Sequence, residues 1–336
     1  MPNRQSHGGT VEGTVPPAPG AGPRPAPRPA SGGAGSARGA GRAGRRRGLR
    51  RWPGAAFIAP HMLALGLFML LPIGYAVYQS LYTTKLIGGT RYSGLANYRT
   101  VLASAEFWTG VREVLVFAAI QVPLTLALAF FFAAVFDAGI VRHGRFFRTV
   151  FFMPFAVPGV VAAVMFSFLL EPTFGPYARV LQALGLKNVD FFSSKLILPT
   201  IVLIVVWEWT GYNMTILYTS LKTIPREITE AAVVSGASLS TIILRLKLPM
   251  VRPTLMMLVF INTVGALQLF TEPSIIESFE PQAISFGFTP TLYVYNTAIG
   301  SGEYSLGAAA AVLLAVIIGL ISLAGFALRR RNGEFR

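Results

Sequence analysis

The chain is 336 residues long, 53% hydrophobic and only 13% charged. Ordinary soluble domains carry about 25% charged residues, so a water-soluble globular body is excluded for most of it. There is no cysteine, which excludes disulfides, thiolate nucleophiles and cysteine–metal sites.

Residues 1–54 are rich in Pro, Gly, Ala and Arg and hold almost nothing to bury, the composition of a disordered basic tail. The run GAGRAG, Gly39 to Gly44, formally matches a dinucleotide fingerprint. No strand pattern precedes it and no helix pattern follows, so it is not read as a nucleotide site. The following GRAGRRRGLRR suits contact with anionic lipid head groups.

Residues 55–81 then contain no Asp, Glu, Lys or Arg. The run is too long for the roughly 7–15-residue core of a cleaved signal peptide and reads as an uncleaved first span. Residues 114–136, 149–170, 253–271 and 304–328 are equally charge-free, and 196–221 contains only Glu208. A spanning helix needs about 20 mostly apolar residues. The pattern predicts an all-α integral membrane protein with six transmembrane helices in a domain over 55–330, with 331–336 as a C-terminal tail. Pro72, Pro123, Pro154 and Pro158 fall inside these runs and predict kinks rather than breaks, because neighbouring helices can satisfy the freed carbonyls.

The net charge of +15 invites a nucleic-acid reading. With six spans both termini lie on one side, and that side holds 22 of the 29 Lys and Arg residues against 7 on the other. Topology follows this bias. Both termini and the 222–252 loop are expected to be cytoplasmic in a multi-pass plasma-membrane protein, and the basic excess needs no nucleic-acid partner.

Catalytic motifs are missing. His7, His61 and His143 are scattered, no G-x-S-x-G elbow occurs, and no lysine follows a glycine, so there is no phosphate-cradling loop. Neither an enzyme nor a metal site is expected, and active transport would need energy from another subunit or from an ion gradient. Glu208, in WEWTGYNM, has two readings: a structural carboxylate bonded to a neighbouring helix, or a member of a polar solute pathway.

The stretch EAAVVSGASLSTIILRLKLP, residues 230–249, lies between two spans but cannot cross a bilayer. Pro225 suits a first helical position, with Glu227 in the first turn, where the helix dipole favours an acid. That helix should stop at Gly236 in a left-handed conformation. Ser238 should cap a second helix, whose Leu239, Ile242, Ile243 and Leu246 form one apolar stripe before Pro249 ends it. The product is either an amphipathic element resting on lipid or a knob for a groove in a cytosolic partner.

This stretch resembles the coupling loop of ATP-binding-cassette importer permeases. Glu230, Ala231 and Ala232 are followed by three residues, Gly236, nine residues, and Leu246-Lys247-Leu248-Pro249. The usual Asp before the glycine is Ser235 here, and the usual Ile is Leu246. LANYRTVL, FFMPFAVPGVVAAVMFSFLL, LKTIPREITEAA and TLYVYNTAI extend the resemblance over residues 52–330, toward the sugar branch with its glycerol-phosphate, maltose and oligosaccharide permeases.

The resemblance implies a type I importer permease bundle with a cytoplasmic coupling helix. Expected partners are a second permease chain, two cytosolic ATPase subunits that carry the ATP and Mg, and an extracytoplasmic solute-binding protein. No cofactor is expected on this chain. The resemblance also implies solute contacts on the spans flanking the loop, where the chain offers Trp207, Glu208, Trp209, Gly211, Tyr212, Asn213, Asn262 and Gln268. Aromatic faces stack on sugar rings and amides bond hydroxyls, but interhelical bonding by the amides and interfacial anchoring by the tryptophans explain the same residues. The alternatives from other classes are a stand-alone ion-coupled carrier and an integral-membrane enzyme.

Overall fold

A computed structural model describes residues 52–85, 89–185 and 189–331. Most of the basic tail, with its Gly39–Gly44 match, and the chain beyond 331 lie outside these residues. Of two compact units, the first ends at Pro60 and is described only as helix from Trp52. The packing below is that of the second, from His61 onward.

Five described helices are long and apolar enough to cross a membrane: Phe57–Ser80, Ala105–Asp137, Ile197–Lys222, Arg252–Phe279 and Tyr304–Gly325. The pair Gly144–Ala156 and Gly159–Leu169 passes the same test together but is bent by 95°, and counted as one crossing it makes a sixth. Numbered in chain order, with the bent pair third, these are the six membrane helices expected from the charge-free runs. One small addition is an antiparallel hairpin pairing Tyr82–Lys85 with Gly89–Tyr92.

Prolines shape three places. The third span, expected as one kinked helix over 149–170, is instead two. A proline disfavours the helical conformation in the residue before it, and Val157 is extended at φ −79°, ψ 125°. Pro158 then opens the second half. Pro72 and Pro249 each follow a run of wider π-helical turns, Gly66–Leu70 and Ile242–Lys247. In both, the N–H just after the run donates five residues back, Leu71 to Gly66 and Leu248 to Ile243. The proline lacks the donor for an ordinary bond four residues back, and the register widens around it.

The fifth span is α-helical over Arg252–Ala266, breaks at 267–270 and resumes over Thr271–Phe279. The expected end at Thr271 is therefore the start of a second helical piece.

The second and fourth spans form the centre. Phe117, Leu126 and Ala129 of the second share a buried cluster with Ile201, Met214 and Leu217 of the fourth. Small residues such as Ala129 and Ala133 let backbones approach closely, which favours helix association in lipid. The closest approach is at Gly211, where a Cβ would lie only 1.8 Å from the Phe151 carbonyl oxygen. The third span's backbone therefore rests directly on the fourth. The first span is the least covered, with Leu63 73% and Phe68 77% exposed.

Candidate functional site

The 222–252 loop folds as two helical arms, Arg226–Val234 and residues 239–250. Pro225 is the N-cap of the first arm rather than its first helical residue. The arm ends in a Schellman motif: Gly236 takes φ +79°, its N–H donates to Val233 O at 2.9 Å, and Ala237 N–H donates to Ala232 O at 3.0 Å. A Cβ at Gly236 would meet nothing within 4 Å, so the requirement for glycine is conformational, not steric. Ser238 Oγ accepts the Thr241 N–H at 3.3 Å and starts the second arm.

The second arm corrects two expectations. It runs past Pro249, which is exposed, to Met250, and its stripe is offered outward only at Leu239, which is 49% exposed. Ile242 is 4% exposed, and Ile243, Leu246 and Leu248 are half-buried. The most exposed apolar side chain of the loop is on the first arm, where Val234 is 89% and Val233 58% exposed, against 57% for Leu244 on the second. Beside these valines Glu230, Ala231 and Gly236 are exposed and Ala232 is half-buried. The two valines were missed in sequence because no periodic pattern singles them out.

A cavity of about 260 Å³ opens between the second, fourth and fifth spans. It gathers four of the residues named for the solute pathway, Trp209, Tyr212, Asn262 and Gln268, and adds Gln121 and Glu272. Tyr212 stacks on Phe155 of the third span with ring centroids 4.5 Å apart and planes at 21°. Trp209 meets the same ring edge-on at 5.4 Å. Gln268 sits exposed at the break in the fifth span, where helical packing no longer dictates its direction. Gln121 had a legible signal, being the only amide in the charge-free run 114–136. Glu272 fell one residue past the predicted end of its span.

Four other candidates do not line this cavity. Trp207 packs edge-on against Phe166 at 5.3 Å. Gly211 is the contact with Phe151. Asn213 is fully buried and forms a reciprocal amide pair with Asn262, donating at 3.3 Å and accepting at 2.8 Å. Glu208 is 5% exposed and lies against Glu272, which is 8% exposed. Both carboxyls flank Gly159 at the bend of the third span, where a Cβ would be 3.7 Å and 3.5 Å from them respectively. Glu208 thus lies behind the cavity wall, its carboxyl against that of Glu272, which lines the cavity.

A larger cavity of about 630 Å³ is bordered by the second span, the second arm and the fifth span. Its lining, which includes Leu126, Phe130, Ile243, Leu248 and Val259, is apolar throughout, so it has nothing to hold a polar solute. Among the described residues no group of His, Cys, Asp and Glu could hold a metal ion.

Residues 131–332 match the family described as binding-protein-dependent transport system inner membrane component. The chain is 28% identical over 280 residues to the lactose transport system permease protein LacF of Rhizobium radiobacter, covering 81% of this chain and 92% of that protein. It is also 28% identical over 282 residues to the sn-glycerol-3-phosphate transport system permease protein UgpA of Salmonella typhimurium, covering 82% of this chain and 93% of the relative. Among solved structures, a chain of a bacterial alginate transporter in complex with its alginate pentasaccharide-bound periplasmic protein superposes with a TM-score of 0.74 at 20% identity. That match covers 84% of this chain and 95% of the other.

Proposed function

The chain belongs to the binding-protein-dependent transport system inner membrane component family, a family of transport permeases, and we propose that it imports a sugar or sugar-like polyol by coupling to ATPase subunits on separate chains. The stand-alone carrier and the membrane enzyme give way to the family membership. Lactose, glycerol phosphate and alginate in the names of its relatives support a carbohydrate-type solute. So does the cavity, whose Trp209 and Tyr212 faces suit a sugar ring and whose Gln121 and Gln268 amides suit hydroxyls. A second permease completes the pathway, and a solute-binding protein delivers to the side opposite the termini.

The observation that carries the energy coupling is the exposed first arm. An apolar pair, Val233 and Val234, stands beside a free carboxylate, Glu230, on a helix whose end is set by Gly236. This is a helix-in-groove surface, facing the cytoplasm by the Lys and Arg bias. ATP-driven closure of the ATPase pair displaces the arm and switches the bundle between outward and inward access. Shifting a two-state equilibrium from 1:99 to 99:1 takes about 5.5 kcal/mol, within the reach of nucleotide-dependent docking.

Glu230→Lys tests this. It lies outside every span, so the protein should insert at wild-type levels. Association with the ATPase subunits and solute-stimulated hydrolysis in the reconstituted complex should both fall, by two or more orders of magnitude if a docked ion pair worth about 3 kcal/mol or more is lost. Wild-type association and hydrolysis would leave the arm as a lipid-resting helix and remove the coupling reading.

A further inference from the structure

Asp137 ends the second span, and its position runs against local preference. A carboxylate at a helix C-terminus faces the negative end of the helix dipole. Its side chain is also only 6% exposed. Two lysines offset this cost. Lys222, in the last turn of the fourth span, lies 2.8 Å from Oδ1, and Lys247, at the end of the π-helical run in the second arm, lies 2.5 Å from Oδ2. One carboxylate therefore ties the ends of both central spans to the loop.

The wider register of the second arm makes this possible. Ile242 and Lys247 are five residues apart, which an α-helix would place on different faces. In the π-helical run Ile242 is 4% exposed and the Lys247 side chain 13%, both turned toward the bundle. The two lysines are not equivalent, since the Lys222 side chain is 46% exposed. Lys222 and Arg148 also both lie over the Tyr218 ring, at 5.3 Å and 4.3 Å from its centroid, which brings the third span into the same cluster. Nearby, Ser220 and Thr254 share a hydrogen bond at 2.9 Å between the fourth and fifth spans.

We infer that Asp137 is a positioning residue for transport, through which displacement of the second arm is passed by way of Lys247 to the second and fourth spans. Those two spans carry Gln121, Trp209 and Tyr212 to the solute cavity, so a push at the loop end moves the walls of the site as rigid helices. An exposed ion pair would be too screened and too loose for this. A shielded carboxylate with two cationic partners has no alternative hydration and must follow them. The inference rests on the docking of the loop proposed above.

The test uses the complete transporter with its binding protein in proteoliposomes, reading ATPase-subunit association, ATP hydrolysis and solute imported per ATP for each variant. Asp137→Asn and Lys247→Met should keep association and hydrolysis but lose about tenfold or more in solute imported per ATP, a typical size for a coupling term. Lys222→Met, at the exposed partner, should lose about twofold to threefold, and Lys247→Arg should restore coupling. The double variant Asp137→Asn with Lys247→Met leaves one fewer unpaired charge in the cluster than Asp137→Asn alone. It should fold and still be uncoupled.

Unchanged import per ATP in these variants would overturn the inference, as would a loss of import that only tracks the amount of folded complex. If Glu230→Lys and Gly236→Val keep wild-type coupling, the docking reading falls and this inference with it. If those two lose coupling while the Asp137 and Lys247 variants keep it, this inference alone falls.

Discussion

Gly236 and the Asn213–Asn262 pair show two ways in which one residue matters. At Gly236 the space for a side chain is open, and the penalty for any substitution is the left-handed backbone, about 1–2 kcal/mol for an ordinary L-residue. Gly236→Val should therefore misdirect the second arm and reduce ATPase association, while Gly236→Asn, which tolerates that conformation, should keep most of it. Co-purification of the ATPase subunits with each variant measures the difference. In the amide pair each side chain satisfies the other and a carbonyl on its own helix, Trp209 for Asn213 and Leu258 for Asn262. Asn262→Leu strands Asn213 and should destabilise the protein by about 1–2 kcal/mol, seen as a lower melting temperature in detergent. Gln268→Ala removes an exposed amide at the cavity and should leave the melting temperature alone while weakening transport.

The bent third span backs the aromatic wall of the cavity without lining it. Its first half brings Phe155 under Trp209 and Tyr212, and its second half starts at Gly159, beside Glu208 and Glu272. The first half can lie this close because Gly211 presents no side chain to Phe151. Gly211→Ala should push the two helices apart. Overpacking of this kind costs about 1–3 kcal/mol and occasionally more, and here the obstacle is backbone, which cannot rotate away. The expected result is less folded protein in the membrane, with transport falling in the same proportion and solute preference unchanged. A change in solute preference at normal protein levels, measured by competition between sugars, would return Gly211 to the solute pathway.

For the assembled bundle, the bias of Lys and Arg predicts that the 222–252 loop faces the cytoplasm. A cysteine placed by Ser235→Cys should be shielded from an impermeant thiol reagent in intact cells, and one placed by Ser301→Cys should react. Both positions are exposed at loops of the chain, and the protein has no cysteine of its own to confuse the labelling. Labelling at position 235 from outside would invert the topology. The first span is bare along Leu63 and Phe68, 73% and 77% exposed, so this face of the bundle is covered by nothing within the described residues.

Much of this was readable before any packing was known. The charge-free runs identify the spans because a bilayer leaves no water for backbone groups, so each crossing must be a long apolar helix. The junction between the loop's arms was readable because Gly236 and Ser238 act within a single turn, whereas Pro225 caps its helix rather than opening it and the second arm outruns Pro249. Pro158 announced a disturbance in the third span but not the 95° angle. Other features required the packed helices. Asn213 meets Asn262 across 49 residues, Asp137 meets Lys247 across 110, and Ile242 turns inward while Val234 stays out. Which face of a membrane helix meets which neighbour depends on its rotation about its own axis. In a chain that is apolar all round, hydropathy has no preferred face, so van der Waals packing and the few interhelical polar bonds decide it.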